Sequence, residues 1–102
     1  MQMDSEFKIG YELLKKFKEQ IESLSNAQNE MELLEIIEAV KEPIRNATYR
    51  IKNGNGPLKE ELFDALAVIV REIREFNNPK ELKEAAKKVV EIINNLETQV
   101  SA

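Results

Sequence analysis

The chain has 102 residues and a net charge of −4, from 15 basic and 19 acidic side chains. This length suits one domain with its own hydrophobic core, so residues 1–102 are predicted to form a single domain. The sequence contains no Cys and no His, which excludes disulfides, thiolate metal sites and histidine-based acid–base catalysis. Any chemistry would therefore depend on carboxylates and lysines, with a hard cation such as magnesium.

Charged residues of both signs are interspersed along the chain and form no basic stripe. We therefore expect no nucleic-acid binding. No stretch approaches the ~18 apolar residues of a membrane span, and no leader segment is expected. These features predict a cytoplasmic protein without a membrane partner.

The first predicted helix covers residues 5–24, with Asp4 or Ser5 as its N-terminal cap. Its apolar residues recur every three or four positions, as in the seam between packed bundle helices. This seam consists of Phe7, Gly10, Leu14, Phe17, Ile21 and Leu24. Glycine costs roughly 1 kcal/mol relative to alanine inside a helix, so we expect Gly10 to let a neighbouring helix approach closely.

The second predicted helix covers residues 26–52 and begins at a capping box formed by Ser25 and Gln28. Its seam consists of Leu33, Ile37, Val40, Ile44, Ala47 and Ile51. Pro43 lies in the middle and removes one helical hydrogen bond. Because the apolar spacing continues across this proline without a shift, we predict a continuous helix that is kinked at Pro43.

The segment Asn53–Pro57 predicts a loop, in which Gly and Asn suit a left-handed helix end. A third helix is predicted over residues 57–76 and a fourth over residues 79–97. Asn78 and Glu81 form a capping pair at the start of the fourth helix. The seams are Leu62, Leu66, Ile69, Ile73 and Phe76 in the third helix, and Leu82, Ala86, Val89, Ile93, Leu96 and Val100 in the fourth.

Four amphipathic helices joined by short connections predict an all-α fold, a single-domain antiparallel (up-down-up-down) four-helix bundle. Regular seams, capped helix starts and the absence of Cys, His and Trp are also typical of a designed or idealised bundle. The richness in asparagine and lysine would equally suit a natural thermophile protein.

The candidate constellation for chemistry consists of carboxylates. Glu35 and Glu38 (or Glu32 and Glu35) are three residues apart on the second helix, and Glu61 and Asp64 are three apart on the third. Residues three apart share a helix face, so two facing pairs could hold magnesium through four oxygens.

The spacing resembles the ExxE…ExxD pattern of the MazG-type all-α nucleotide pyrophosphohydrolases. The string Leu58-Lys-Glu-Glu-Leu-Phe-Asp-Ala-Leu is similar to that family's third-helix phrase, and the resemblance covers roughly Glu32 to Val70. It implies a magnesium-dependent enzyme in which the metal activates water against a nucleoside triphosphate.

The angular positions of these carboxylates on their helices argue against a metal site within one bundle. At about 100° per residue, Glu35 and Glu38 lie roughly 140–160° from the centre of their seam, and Asp64 lies roughly 170° from its own. The two pairs could then meet only across an oligomer, or if the site lay on a second, outer helix face. We therefore predict no catalytic, cofactor-binding or metal-binding residue and no cofactor, with Glu35, Glu38, Glu61, Asp64 and magnesium as the alternative.

The third helix extends its apolar surface beyond the seam, at Phe63, Ala67, Val68 and Val70. A helix that is apolar most of the way round is either central in the fold or covered by a partner. Three further off-seam residues could widen this patch: Tyr11, Met31 and Leu34. The sequence thus predicts a non-catalytic structural or protein-interaction bundle, with a protein partner or a second copy on the outer face of the third helix.

Overall fold

The helices of the computed structural model are five in number within residues 2–101, the part of the chain that the structure describes. They are α1 (Ser5–Lys16), α2 (Lys18–Asn26), α3 (Glu30–Asn53), α4 (Lys59–Glu75) and α5 (Pro79–Ser101). The predicted all-α class is confirmed, whereas the predicted number of four helices does not match. Side chains are described for residues 2–99, so the side chain of Val100 in the predicted fourth seam lies outside them.

The helix predicted over residues 5–24 is divided at Phe17, whose φ and ψ are −103° and 14°. The Phe17 N–H still donates to the Leu13 carbonyl at 3.2 Å, and the Phe17 carbonyl accepts from the Ile21 N–H at 3.0 Å. The two parts have different partners, since α1 packs mainly against α3 and α2 mainly against α5. The seam spacing is the same on both sides of the break, so the sequence pattern did not reveal it.

The core is one cluster of buried hydrophobic residues to which all five helices contribute. α4 packs against both α3 and α5, and these two helices also contact the α1–α2 segment. No helix within residues 2–101 is both long and apolar enough to cross a bilayer.

The start of α3 differs from its prediction. Ser25 lies inside α2, where its hydroxyl donates to the Glu22 carbonyl, and therefore caps nothing. The actual cap is Asn29, whose side-chain oxygen accepts the Glu32 N–H at 2.9 Å. Because this pair has the same spacing as Ser25 and Gln28, the pattern alone could not choose between them.

The predicted seam of α3 is buried along its whole length, and the helix continues through Pro43. Gly10 of α1 packs against it. A Cβ atom at Gly10 would lie 2.9 Å from the Ile51 Cδ1 atom and 3.1 Å from the Ala47 carbonyl oxygen. The predicted close approach at this glycine is therefore confirmed.

In the loop between α3 and α4, the two glycines are required by close packing and not by a left-handed backbone conformation. Neither Gly54 nor Gly56 has a positive φ, and a Cβ atom at either would overlap Phe7. The left-handed positions are Leu58, with φ 60°, and Phe76, with φ 50°. The prediction that Gly and Asn supply a left-handed helix end in this loop was therefore wrong.

The same loop is tied to the start of α1. The Asp4 carboxylate accepts from the Phe7 N–H and from the Asn55 N–H, both at 2.9 Å. The Asp4 N–H donates to the Asn55 carbonyl, also at 2.9 Å. The predicted Asp4 cap is confirmed, and it also fixes the loop. α4 begins at Lys59, two residues after its predicted start at Pro57.

The buried face of α4 is rotated relative to the predicted seam. Ala65 and Glu72 are buried, whereas Ile73 and Phe76 are only half-buried. At about 100° per residue, Ala65 and Glu72 lie about 60° and 80° from Leu62 on one side of the seam, so the buried face is displaced towards that side. This rotation turns Glu72 towards the core.

Candidate functional site

The four carboxylates of the alternative magnesium site are all exposed. Glu35 and Glu38 line one shallow depression on α3, and Asp64 lines a separate one beside α4. Glu38 also forms an ion pair with Lys41 at 3.1 Å. In the described part of the chain no three Asp, Glu, His or Cys side chains come together where they could hold a metal ion. The structure thus brings no three of Glu35, Glu38, Glu61 and Asp64 together.

The predicted interface on α4 is only partly exposed. Phe63, Val68 and Val70 are half-buried and pack against the core, while Ala67 is exposed. At about 100° per residue, Phe63 and Val70 share one flank of the helix and Val68 lies on the other flank. The outer face of α4 therefore offers Ala67 and the edges of larger side chains that also serve the core.

The most exposed large apolar side chains lie on α1 and α3. They are Ile9 at 46%, Met31 at 73%, Leu34 at 43% and Tyr49 at 65% exposure. Tyr11, which the sequence suggested for the surface patch, is instead part of the core with 1% exposure. Of the three residues expected to widen an apolar surface, Met31 and Leu34 are therefore available to a partner and Tyr11 is not.

An open apolar surface lies on the outer face of α1, and we call it the α1 patch. It is lined by Ser5, Lys8, Ile9, Glu12, Leu13 and Lys16. Ile9 and Leu13 are one helical turn apart and so form a continuous apolar strip. Two lysines and one glutamate surround this strip, which gives the patch a positive balance.

A second open apolar surface lies near the start of α3, and we call it the α3 patch. It is lined by Glu30, Met31, Leu34, Glu35 and Glu38. Met31 and Leu34 are three residues apart and share a helix face. The three glutamates give this patch a negative balance, in contrast to the α1 patch.

Glu72 is a buried charged residue that the sequence reasoning missed. Its side chain is 3% exposed and lies 3.1 Å from the Arg71 Nε atom. It also accepts the Asn78 N–H at 2.6 Å. Arg71 reaches Glu81 at the start of α5, at 3.0 Å. These groups join the end of α4 to the start of α5.

The position of Glu72 carries a signal in the sequence. It lies three residues after Ile69 and seven after Ala65, spacings that place it on the same helix face as these two buried residues. The hydrogen bond from the backbone N–H of Asn78 is the main cause that holds the pKa of Glu72 below its ordinary value. Burial of the carboxylate acts in the opposite direction and raises the pKa. Glu72 is therefore a satisfied structural carboxylate that fixes a helix corner.

No family model, curated protein or solved structure matches the chain. The resemblance to the MazG-type pyrophosphohydrolases consequently rests on residues 32–70 alone. The surfaces and charged groups described above are the features from which a function can be inferred.

Proposed function

We propose that this chain is a non-catalytic helical-bundle module that binds protein surfaces, in the first place a second copy of itself. In this proposal α1 and α2 together supply one of four packed columns, and α3, α4 and α5 supply the other three. Such a module acts through the shape and charge of its outer helix faces. It needs no cofactor.

The observation that carries this proposal is the pairing of apolar side chains on outer helix faces. Ile9 adjoins Leu13 in the α1 patch, and Met31 adjoins Leu34 in the α3 patch. Single apolar residues are ordinary on protein surfaces, whereas adjacent ones bordered by charges are typical of contact sites. Both patches consist of adjacent apolar residues that are bordered by charged ones.

The outer face of α4 is a further candidate surface, as the sequence suggested. Ala67 is exposed, and the flanking Phe63, Val68 and Val70 are partly accessible. A Val68→Glu substitution tests this surface, since a charge there would oppose the burial of that flank by a partner. Unchanged association of a folded Val68→Glu variant would remove α4 from the proposal.

Sedimentation velocity over a concentration series tests self-association. We expect the mean sedimentation coefficient to rise with concentration, because mass action favours association. A strict monomer at high micromolar concentration would overturn the proposal of a self-associating module.

The alternative function is a magnesium-dependent nucleotide pyrophosphohydrolase using Glu35, Glu38, Glu61 and Asp64. It is favoured by the placement of these carboxylates on the exposed faces of α3 and α4, which pack against each other. The site would require carboxylates from two copies. Incubation with nucleoside triphosphates and magnesium tests it: release of pyrophosphate that Glu61→Gln abolishes would replace the first proposal, and release at background level would exclude the enzyme.

A further inference from the structure

We propose that the α1 patch binds the α3 patch of a second copy of the chain. This inference rests on the proposed self-association and names the surfaces that meet. The apolar strip Ile9–Leu13 would cover Met31 and Leu34 of the neighbouring copy. Burial of these side chains supplies a non-directional attraction.

The charges around the two strips are complementary. Lys8 and Lys16 border the α1 strip, and Glu30 and Glu35 border the α3 strip. Among the described residues none of these four charges takes part in an ion pair within the chain. They are therefore available to a neighbouring copy, where opposite charges fix the register and repel wrong pairings.

The same charges oppose the pairing of each patch with itself. Two copies of the α3 patch would bring six glutamates together, three from each. Two copies of the α1 patch would bring four lysines against two glutamates. Like charges at an interface are unfavourable, so the contact between unlike patches is preferred.

A two-fold pair of chains would occupy both patches of each copy at once, whereas any other rotation leaves one free patch of each kind and builds closed rings or open chains. Association through this contact therefore either stops at the dimer or continues beyond it as concentration rises. We also expect weaker association at higher salt, because exposed charge pairs are screened.

A charge-swap experiment tests the contact. One variant carries Lys8→Glu with Lys16→Glu, and the other carries Glu30→Lys with Glu35→Lys. Each variant alone should associate roughly tenfold more weakly than the wild type, because attraction becomes repulsion at one side of the contact. A mixture of the two variants should associate again, since each reversed patch then meets a patch of opposite charge.

The controls separate the contact from folding and from other surfaces. Circular dichroism checks that each variant stays helical, as expected for substitutions at exposed positions. Tyr49→Ser removes a side chain with 65% exposure from α3 outside the α3 patch, and it should leave association unchanged.

The outcomes distinguish this inference from the proposed function. A monomeric wild type would overturn both. A self-associating wild type whose association is unaffected by the charge reversals, or reversed variants that fail to associate when mixed, would overturn the α1–α3 contact and leave self-association standing. The contact would be supported if each variant alone associates more weakly than the wild type and the mixture of the two variants associates again.

Discussion

The Glu72 carboxylate accepts a 2.6 Å hydrogen bond from the backbone N–H of Asn78, which caps α5. In a capping box this N–H is taken by the side chain of the third helical residue, here Glu81. The Glu81 carboxylate instead lies 3.0 Å from the Arg71 guanidinium. The Asn78 side chain still accepts the Glu81 N–H, at 3.2 Å. The preceding helix therefore supplies part of the cap and sets the corner between α4 and α5.

We predict that Glu72→Leu lowers the melting temperature by several degrees. The substitution removes the acceptor of the Asn78 N–H, whose hydrogen bond is partly buried, and one partner of Arg71, and leaving such a donor and charge without their partner is unfavourable. Glu72→Gln keeps the shape and one acceptor oxygen, so its melting temperature should be intermediate. Thermal unfolding followed by circular dichroism at neutral pH measures these differences.

The matched control for this prediction is Glu75→Leu, at an exposed glutamate one turn further along α4. It should change the melting temperature less than Glu72→Leu does. Equal melting temperatures for the wild type and Glu72→Leu would show that the corner does not depend on this carboxylate.

Acid should destabilise the protein through Glu72. Hydrogen bonding from Asn78, and then from Arg71, lowers the pKa of Glu72 below its ordinary value of 4.5. A carboxyl group with a lowered folded-state pKa stabilises the fold fully above its unfolded-state pKa. That contribution is lost as the pH falls through the lower folded-state value. Asp4 acts in the same direction, because the Phe7 and Asn55 N–H groups lower its pKa.

The measurement is urea unfolding at a series of pH values between about 7 and 3. We expect the free energy of unfolding of the wild type to fall at the acid end. Glu72→Gln cannot lose the same charge, so its free energy should fall less. Parallel curves for the two proteins would contradict a role for Glu72 in acid sensitivity.

The sequence predicted the helical class and the α3 seam because apolar spacing reports directly on the buried face of a regular helix. The same rule failed at the end of α4, where a strict heptad placed Ile73 inside and overlooked Glu72. A charged residue on an inward face is expected to be rare, and only the fold shows which groups satisfy it. The capping partner of Asn78 lies on another helix and has no local signal.

The division at Phe17 and the two left-handed residues, Leu58 and Phe76, also escaped prediction. Non-glycine residues rarely adopt a positive φ. The presence of Gly54 and Gly56 in the loop therefore led to the prediction that a left-handed conformation occurs there and not at Leu58. The surrounding packing determines the left-handed conformation of Leu58 and Phe76, since both side chains contact the core. Of the candidate surface residues, Met31 and Leu34 were found by their off-seam positions, whereas the exposed Ile9 was missed.

We predict that Gly54→Ala destabilises the protein although its φ of −106° is open to any residue. The added Cβ would overlap backbone atoms of Phe7, which cannot move aside as a flexible side chain could. Overpacking of this kind costs about 1–3 kcal/mol. Urea unfolding of the variant checks the value. The control is Asn53→Ala at the preceding exposed position, where we expect a change within about 0.5 kcal/mol. A stability of Gly54→Ala equal to this control would show that the loop can move away from α1.

We predict that Pro43→Ala stabilises the protein. Proline inside a helix costs about 3 kcal/mol relative to alanine, because it lacks an N–H and its ring crowds the preceding turn. Pro43 lies within the continuous helix α3, so alanine there could donate to the Ala39 carbonyl. Pro43 is half-buried, and the loss of its ring contacts offsets part of the gain. We expect a net increase of about 1–2 kcal/mol in the free energy of unfolding.

Pro57→Ala is the matched control, since Pro57 precedes α4 and lies outside any helix. Alanine there gives the unfolded chain more freedom, so the free energy of unfolding should fall by about 0.4–1 kcal/mol. We therefore expect urea unfolding to show changes of opposite sign in the free energy of unfolding of the two variants. A decrease for Pro43→Ala would show instead that the seam of α3 needs the proline geometry to pack against α1 and α4 at once. The burial of Val40 and Ile44 on either side of the proline would then depend on a kink.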